Sequence, residues 1–316
     1  MSRSAFIVSD PLYTRVMKWY RLQPFRLPLA NSGIRTALRA RYGLQRLRIG
    51  LLTARQSAEI DEWYRSIQLF FGLGIVRSGT TFLANLLNRE IPNTITLHEA
   101  VIDDYWSYRR AFYSETEALR YVRTFRRNEI FLRLRGTRIR AYGEINPFLR
   151  RHAVALKKVF PDAHLFHVIR DGRDVVRSIM SKGYFGTKDP VFRPLIHPPE
   201  RSPYAQRWSG MTRFEKVCWL WSEENRYLRE NIPTTVRFEC LVRDYEYFRA
   251  RVLNPISADI GVETWSRYCR EARNPSPALT FPHWHSWNRE QRCVFSEICG
   301  TEMKVNGYEL DWGRDG

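Results

Sequence analysis

The sequence predicts an α/β fold, a central parallel sheet with helices packed on both faces. Three observations predict it. From residue 68 onward, apolar runs of strand length alternate with segments of helical apolar spacing, the pattern of parallel strands joined by crossover helices. Two of the strand-to-helix passages run through turns dense in hydrogen-bond donors. A content of 44% hydrophobic and 27% charged residues in 316 fits a globular chain of one large domain plus an appendage.

Residues 1–66 read as a basic, partly helical N-terminal extension, and 67–316 as the α/β domain. Helical patches around 12–21 and 34–48 are broken at Pro24, Pro28 and Gly33. Eleven Lys and Arg stand against Asp10 alone in residues 1–56, within a net charge of +18. Interleaved with Tyr13, Trp19, Tyr20 and Phe25, that charge suits an anionic membrane surface or nucleic acid, and equally a plain solvated basic face. The five cysteines show no pairing at two-residue spacing, which points to reduced thiols in a cytoplasm rather than a disulfide framework or zinc site. No apolar run nears the ~20 residues of a membrane span, and the first ten residues hold too short an apolar core for a signal peptide.

The first domain strand, around 68–74, ends in glycines, and Phe82, Leu83, Leu86 and Leu87 then recur at helical spacing. Between them, Arg77-Ser78-Gly79-Thr80-Thr81 offers a donor at nearly every residue. A strand end opening into a helix presents free N–H groups and the positive end of a dipole to a phosphate. Gly74-x-x-x-x-Gly79 keeps the glycine spacing of a Walker A loop, so a three-layer P-loop-type fold is expected. Thr80-Thr81 stands where Lys-Ser/Thr belongs, so the lysine that reaches the β/γ-phosphates of ATP is missing. The loop suits a phosphate-like group other than a triphosphate.

A second strand at 94–97 ends at His98-Glu99, and a helical region follows over 103–135. Strand 139–145, helix 148–159, strand 163–169 and helix 173–182 come next. Residues 183–210, rich in Pro, Gly and aromatics, read as a long loop over a site, with Tyr184, Phe185, Phe192 and Trp208 as candidate lining. Helix 214–230, strand 235–238 and further helices complete the chain. Arg170 ends its strand and Ser178 follows eight residues later, inside the next helix. At neighbouring strand tips of a parallel sheet, an arginine fork and a hydroxyl can hold a second phosphate. Pairing of Arg170 with Asp171 or Asp174 would instead make these residues a capping network.

Arg77-Ser78-Gly79-Thr80-Thr81 resembles the 5′-phosphosulfate loop of the sulfotransferases that use 3′-phosphoadenosine 5′-phosphosulfate (PAPS), in the wording of tyrosylprotein and many bacterial members. Arg170 and Ser178, within Val168-Ile169-Arg170-Asp171-Gly172-Arg173-Asp174, resemble the family's 3′-phosphate motif, with Gly172 where proline is frequent. Phe160-Pro161-Asp162-Ala163, Val236-Arg237-Phe238-Glu239-Cys240-Leu241 and Gly307-Tyr308 echo later family segments in order, over about residues 68–310. The resemblance implies in-line transfer of a sulfuryl group to a hydroxyl or amine without a metal, leaving adenosine 3′,5′-bisphosphate (PAP). It implies that Arg77, Ser78, Gly79, Thr80 and Thr81 hold the 5′-phosphosulfate, and Arg170 and Ser178 the 3′-phosphate.

The same resemblance puts a general base after the second strand: a glutamate in tyrosylprotein members, matched by Glu99, and a histidine in cytosolic members, matched by His98. Strand neighbours point to opposite sides, so one of the two is expected to face the acceptor, and Glu99 is the choice. Ile145 stands where many members carry a lysine, so another cation or Arg77 alone serves there, and Glu144 remains a further candidate base. Residues 281–287, or Arg273, would cover the 3′-phosphate. The acceptor is a small molecule, a carbohydrate or a lipid. Rival readings are a small-molecule kinase dependent on ATP and magnesium, and a non-catalytic module binding anionic lipid or nucleic acid through residues 1–66.

Overall fold

The structure, a computed structural model, describes residues 54–182, 185, 196–271 and 280–312. Most of the basic extension (residues 1–53), Tyr184, Phe192 and Arg273 lie outside them. Five strands, β1 (Gln68–Gly74), β2 (Thr94–Leu97), β3 (Ala141–Ile145), β4 (His164–Ile169) and β5 (Thr235–Arg237), alternate with helices. The helices are α1 (Ala54–Arg65), α2 (Thr80–Glu90), α3 (Ile102–Tyr113), α4 (Glu115–Tyr121), α5 (Arg127–Leu134) and α6 (Ala153–Val159). They continue as α7 (Gly172–Met180), α8 (Arg213–Asn231), α9 (Phe238–Arg243), α10 (Tyr245–Phe248), α11 (Val262–Glu271) and α12 (Arg289–Val305).

The chain divides into two compact units. One comprises Met1–Ser66 with Arg123–Thr137, and the other Ile67–Val122 with Arg138–Gly316. In the first, Trp63 of α1 lies edge-on to Phe131 of α5 at 5.6 Å, and the Tyr64 hydroxyl donates to the Arg127 carbonyl at 2.6 Å. The stretch 123–137, expected within the α/β domain, therefore groups with α1. The expected helix over 103–135 is broken because Ser114 ends α3 and caps α4, its Oγ accepting from the Glu117 N–H at 3.2 Å. Likewise Asn146 accepts from the Phe148 N–H at 3.0 Å. That cap and Pro147 open a 3-10 turn, Pro147–His152, before α6 begins.

The second unit holds the sheet, in the order β2-β3-β1-β4-β5 with every pair parallel. Such strands are covered on both faces, which is why β1 and β4 read as nearly continuous apolar runs. One core joins Val175, Val176 and Ile179 of α7 to Trp219 and Trp221 of α8 and to Phe295 of α12. The other joins Leu83, Leu86 and Leu87 of α2 to Leu241, Leu253 and Trp265. Neighbouring strands β1 and β4 thus send their following helices into opposite cores. A crevice is left beyond their carboxyl tips, where open α/β sheets bind ligands. Of the aromatic loop residues, Phe185 is buried and Trp208 packs edge-on against it (5.9 Å) and against Trp219 (4.9 Å). Phe185 belongs to the core, and Trp208 is partly buried against it. Among the described residues no helix is long and apolar enough to cross a membrane.

Candidate active site at the tips of β1 and β4

The loop after β1 is held in a conformation that side chains resist. Arg77 has φ 74° and Gly79 φ 88°, the left-handed region that costs most residues about 1–2 kcal/mol. A Cβ on Gly79 would also lie 2.2 Å from the Phe238 ring, so glycine is required twice over. Helix α2 starts directly after it with no side-chain cap, leaving its first N–H groups to an outside acceptor. Ser78 is wholly buried, and its Oγ has no hydrogen-bond partner within the protein. A buried polar atom in that state calls for a ligand or water. Residues 77–81 therefore fit an anion at this loop.

The turn after β4 reaches the same crevice. Arg77 Nε donates to Ser178 Oγ at 2.8 Å across 101 residues of sequence. Arg170 Nη2 donates to Asp174 Oδ2 at 2.9 Å, the pairing that the sequence left as an alternative. Its guanidinium also lies 5.5 Å from the centre of the Phe238 ring, the ring that fills the space beside Gly79. Arg77 thus meets Ser178, and Phe238 lies beside both Gly79 and the Arg170 guanidinium. Asp171 serves the turn itself: its carboxylate accepts from the Arg173 N–H at 2.8 Å and pairs with that guanidinium at 2.7 Å. The Asp171 N–H donates to Glu239 (2.9 Å), which also accepts from the Tyr308 hydroxyl (2.8 Å). Burial first, then the Glu239 carboxylate, push the Tyr308 phenol far up, so it stays a donor. Two distant stretches of sequence, 236–241 and 307–308, brace the tip of β4 in this way.

His98 and Glu99 come together rather than apart. His98 Nε2 lies 3.1 Å from Thr80 Oγ1 and 3.3 Å from Thr81 Oγ1. Glu99 Oε1 lies 3.9 Å from His98 Nδ1. The alternation expected of strand neighbours lapses because Glu99 sits past β2 at φ 52°. Glu144 is wholly buried, accepting from the Tyr142 hydroxyl at 2.6 Å and from Asn146 Nδ2 at 3.2 Å. Asn146 Nδ2 also reaches Asp104 at 2.9 Å, so Glu144 belongs to an internal network at β3. Ile145 is buried in the apolar core and supplies no charge.

The segment 281–287 runs along α7. The Phe281 N–H donates to Ser181 Oγ at 3.1 Å, and Arg177 Nε donates to the Phe281 carbonyl at 3.3 Å. The Arg173 guanidinium lies 4.2 Å from the Trp284 ring centre. Burial, reinforced by the charge of Arg177, pushes the His283 imidazole below its usual range. Two basic groups here escaped the sequence reading, Arg177 and Lys182. The available signal was helical spacing: Lys182 falls one turn after Ser178, on the same side.

A family model described as "Sulfotransferase family" matches residues 70–259, more than half of the chain. No curated protein matches the sequence. Among solved structures, sulfotransferase STF9 from Mycobacterium avium is 14% identical with TM-score 0.45, the match covering 78% of each chain. Mouse sulfotransferase SULT7A1 complexed with PAP is 13% identical with TM-score 0.43, over 75% of this chain and 84% of that one. Sulfotransferase STF1 from Mycobacterium tuberculosis H37Rv is 14% identical with TM-score 0.43, over 93% and 94%.

Proposed function

The chain belongs to the sulfotransferase family, and from that premise we propose that it moves a sulfuryl group from PAPS to a hydroxyl or amine. The observation that carries the reading is the 2.8 Å hydrogen bond from Arg77 to Ser178. It links the two donor-rich turns that follow neighbouring strands β1 and β4. In this reading Arg77, the unpartnered Ser78 hydroxyl and the N–H groups of Gly79, Thr80 and Thr81 hold the 5′-phosphosulfate. Arg170 and Ser178 hold the 3′-phosphate, Arg170 exchanging Asp174 for the stronger anion.

The acceptor oxygen or nitrogen forms its bond to sulfur as the bond from sulfur to the 5′-phosphate oxygen breaks, that electron pair staying on the phosphate. Glu99 receives the acceptor's proton. Arg77 and the loop N–H groups offset the charge gathering on the leaving oxygen, so catalysis is positioning plus electrostatics. His98, spanning both threonine hydroxyls, fixes the helix start and holds the Glu99 carboxylate close; it is also the second candidate for the base. The acceptor is a small molecule, carbohydrate or lipid. The free cysteines, all five within the described residues, support a cytoplasmic setting. The basic extension supports peripheral contact with anionic membrane, which vesicle sedimentation with and without residues 1–66 tests.

Calorimetry with PAP and with ATP–magnesium tests the donor. PAP binds and ATP–magnesium does not; Arg77→Ala and Arg170→Ala each weaken PAP by about tenfold or more, the worth of a charge-assisted contact. Wild-type affinity in both variants would overturn the site.

A further inference from the structure

Helix α3 reverses the usual division between inside and outside. Its buried face carries Asp104, Ser107, Tyr108 and Ala111, so hydrogen-bonding groups lie inward, while Trp106 and Tyr113 lie outward. Among the described residues four large hydrophobic side chains are exposed, and the two aromatic ones are these, at 53% and 43%. A buried polar group or an exposed large apolar one is the informative departure from ordinary burial, and α3 shows both. Trp106 and Tyr113 are seven positions apart and share one side of the helix. Arg109 and Arg110, both exposed, stand between them. The stripe reads aromatic, cation, cation, aromatic over about 10 Å of helix axis.

The inner face is pinned. Asp104 accepts from the Tyr121 hydroxyl at 2.8 Å and from Asn146 Nδ2 at 2.9 Å. Ser107 Oγ and His152 Nε2 lie 2.7 Å apart. The Tyr108 hydroxyl donates to Glu224, and the Arg150 guanidinium lies 3.9 Å from the Tyr108 ring centre. Turning the aromatics inward would strand these buried polar groups, so the rotation of α3 about its axis is fixed. Tyr113 is held too, its hydroxyl donating to the His197 carbonyl at 3.3 Å and accepting from the His197 N–H at 2.9 Å. The outer face is therefore preformed, and a partner meets it at little ordering cost. Neither Arg109 nor Arg110 forms an ion pair with a described carboxylate, so the positive charge of the stripe awaits a counterpart from outside.

We propose that this face of α3 seats on an anionic lipid surface. A straight stripe along the outside of a helix brings all four side chains to one depth, as a planar partner requires. Indole and phenol rings settle at headgroup level, apolar body inward and polar group in water. Guanidinium forks pair with lipid phosphates. A soluble polyanion answers the two arginines alone, whereas a lipid surface answers the aromatics as well. The face is not part of residues 1–66, and the inference does not rest on the PAPS reading.

Sedimentation of the full chain with phosphatidylcholine–phosphatidylglycerol vesicles, and with phosphatidylcholine alone, tests it. Arg109→Gln combined with Arg110→Gln weakens partition onto the anionic vesicles by about thirtyfold, a factor of about five for each cation at such a surface. That loss fades at high salt. Trp106→Ala weakens partition by about tenfold at low and high salt alike, and Trp106→Phe recovers most of it. The thermal midpoint of each variant stays at the wild-type value, because the positions are exposed; a lowered midpoint would assign the residue to folding and overturn the inference. Unchanged partition in the double-arginine variant or in Trp106→Ala overturns it as well, as does wild-type protein that fails to sediment with anionic vesicles. Two further results reassign the face and overturn the inference. One is weaker retention of the double-arginine variant on heparin–agarose with vesicle binding intact, which points to a soluble polyanion. The other is a dimer that Trp106→Ala dissociates with vesicle binding intact, which points to a second copy of this chain.

Discussion

At residue 79 a single hydrogen in place of a methyl group decides whether the loop exists. The backbone there is left-handed and Phe238 occupies the space beside it, so Gly79→Ala meets torsional strain and a clash at once. We expect a loss of about 1–3 kcal/mol in urea denaturation, together with loss of PAP binding by calorimetry. A variant as stable as wild type would mean that Phe238 gives way. Glu99 is subject to a different test. Replacing its carboxylate by an amide keeps the shape and removes the proton acceptor, so Glu99→Gln slows turnover by about 100-fold or more while PAP affinity stays at the wild-type value. An unchanged rate moves the base to His98. The sequence offered these two as alternatives on opposite sides of a strand. Their convergence depends on the φ of Glu99 and on threonines from a separate helix, which local spacing does not encode.

The element that organises the crevice is the passage from β4 into α7. Asp171 accepts from the Arg173 N–H and pairs with the same guanidinium, so it caps the helix and anchors it together. Asp171→Ala therefore costs about 1–2 kcal/mol, read as a lower midpoint in urea with the slope unchanged. A midpoint equal to wild type would show that Glu239 and Tyr308 suffice to hold the turn. Gly172 next door explains a departure visible in the sequence. A Cβ there would lie 2.9 Å from Trp221 and 3.1 Å from Phe295, so α7 packs too closely on α8 and α12 for proline. Strand, turn and helix were legible from residues 163–182 because their apolar periods differ and the turn is polar. The partners of Arg170 were not: Asp174 lies four residues on, but Phe238 arrives at the start of α9, 68 positions later.

For the molecule as a whole, acid is the condition that exposes a buried group. His167 of β4 donates from Nε2 to Asn225 Oδ1 of α8 at 2.9 Å, and Asn225 Nδ2 donates onward to the Trp221 carbonyl at 2.7 Å. Burial pushes this imidazole down from 6.5 to about 4. The unfolded chain therefore takes up its proton first, and protonation favours unfolding. The contribution of His167 to stability is complete above pH 6.5 and declines as the pH falls to about 4. The integrated loss is about 3 kcal/mol. Urea denaturation at pH 7 and pH 4 should show a loss for wild type that shrinks by about that amount in His167→Gln; an equal loss in both would assign the acid sensitivity elsewhere.

The sequence by itself determined the α/β class and the two donor-rich turns, because strand and helix periods and turn chemistry are properties of adjacent residues. It also carried the missing Walker lysine, since an absent residue is visible without any fold. Only the tertiary structure decided which side chains those turns bring together. Strand order sets β1 beside β4, and that order, not spacing along the chain, puts Ser178 next to Arg77.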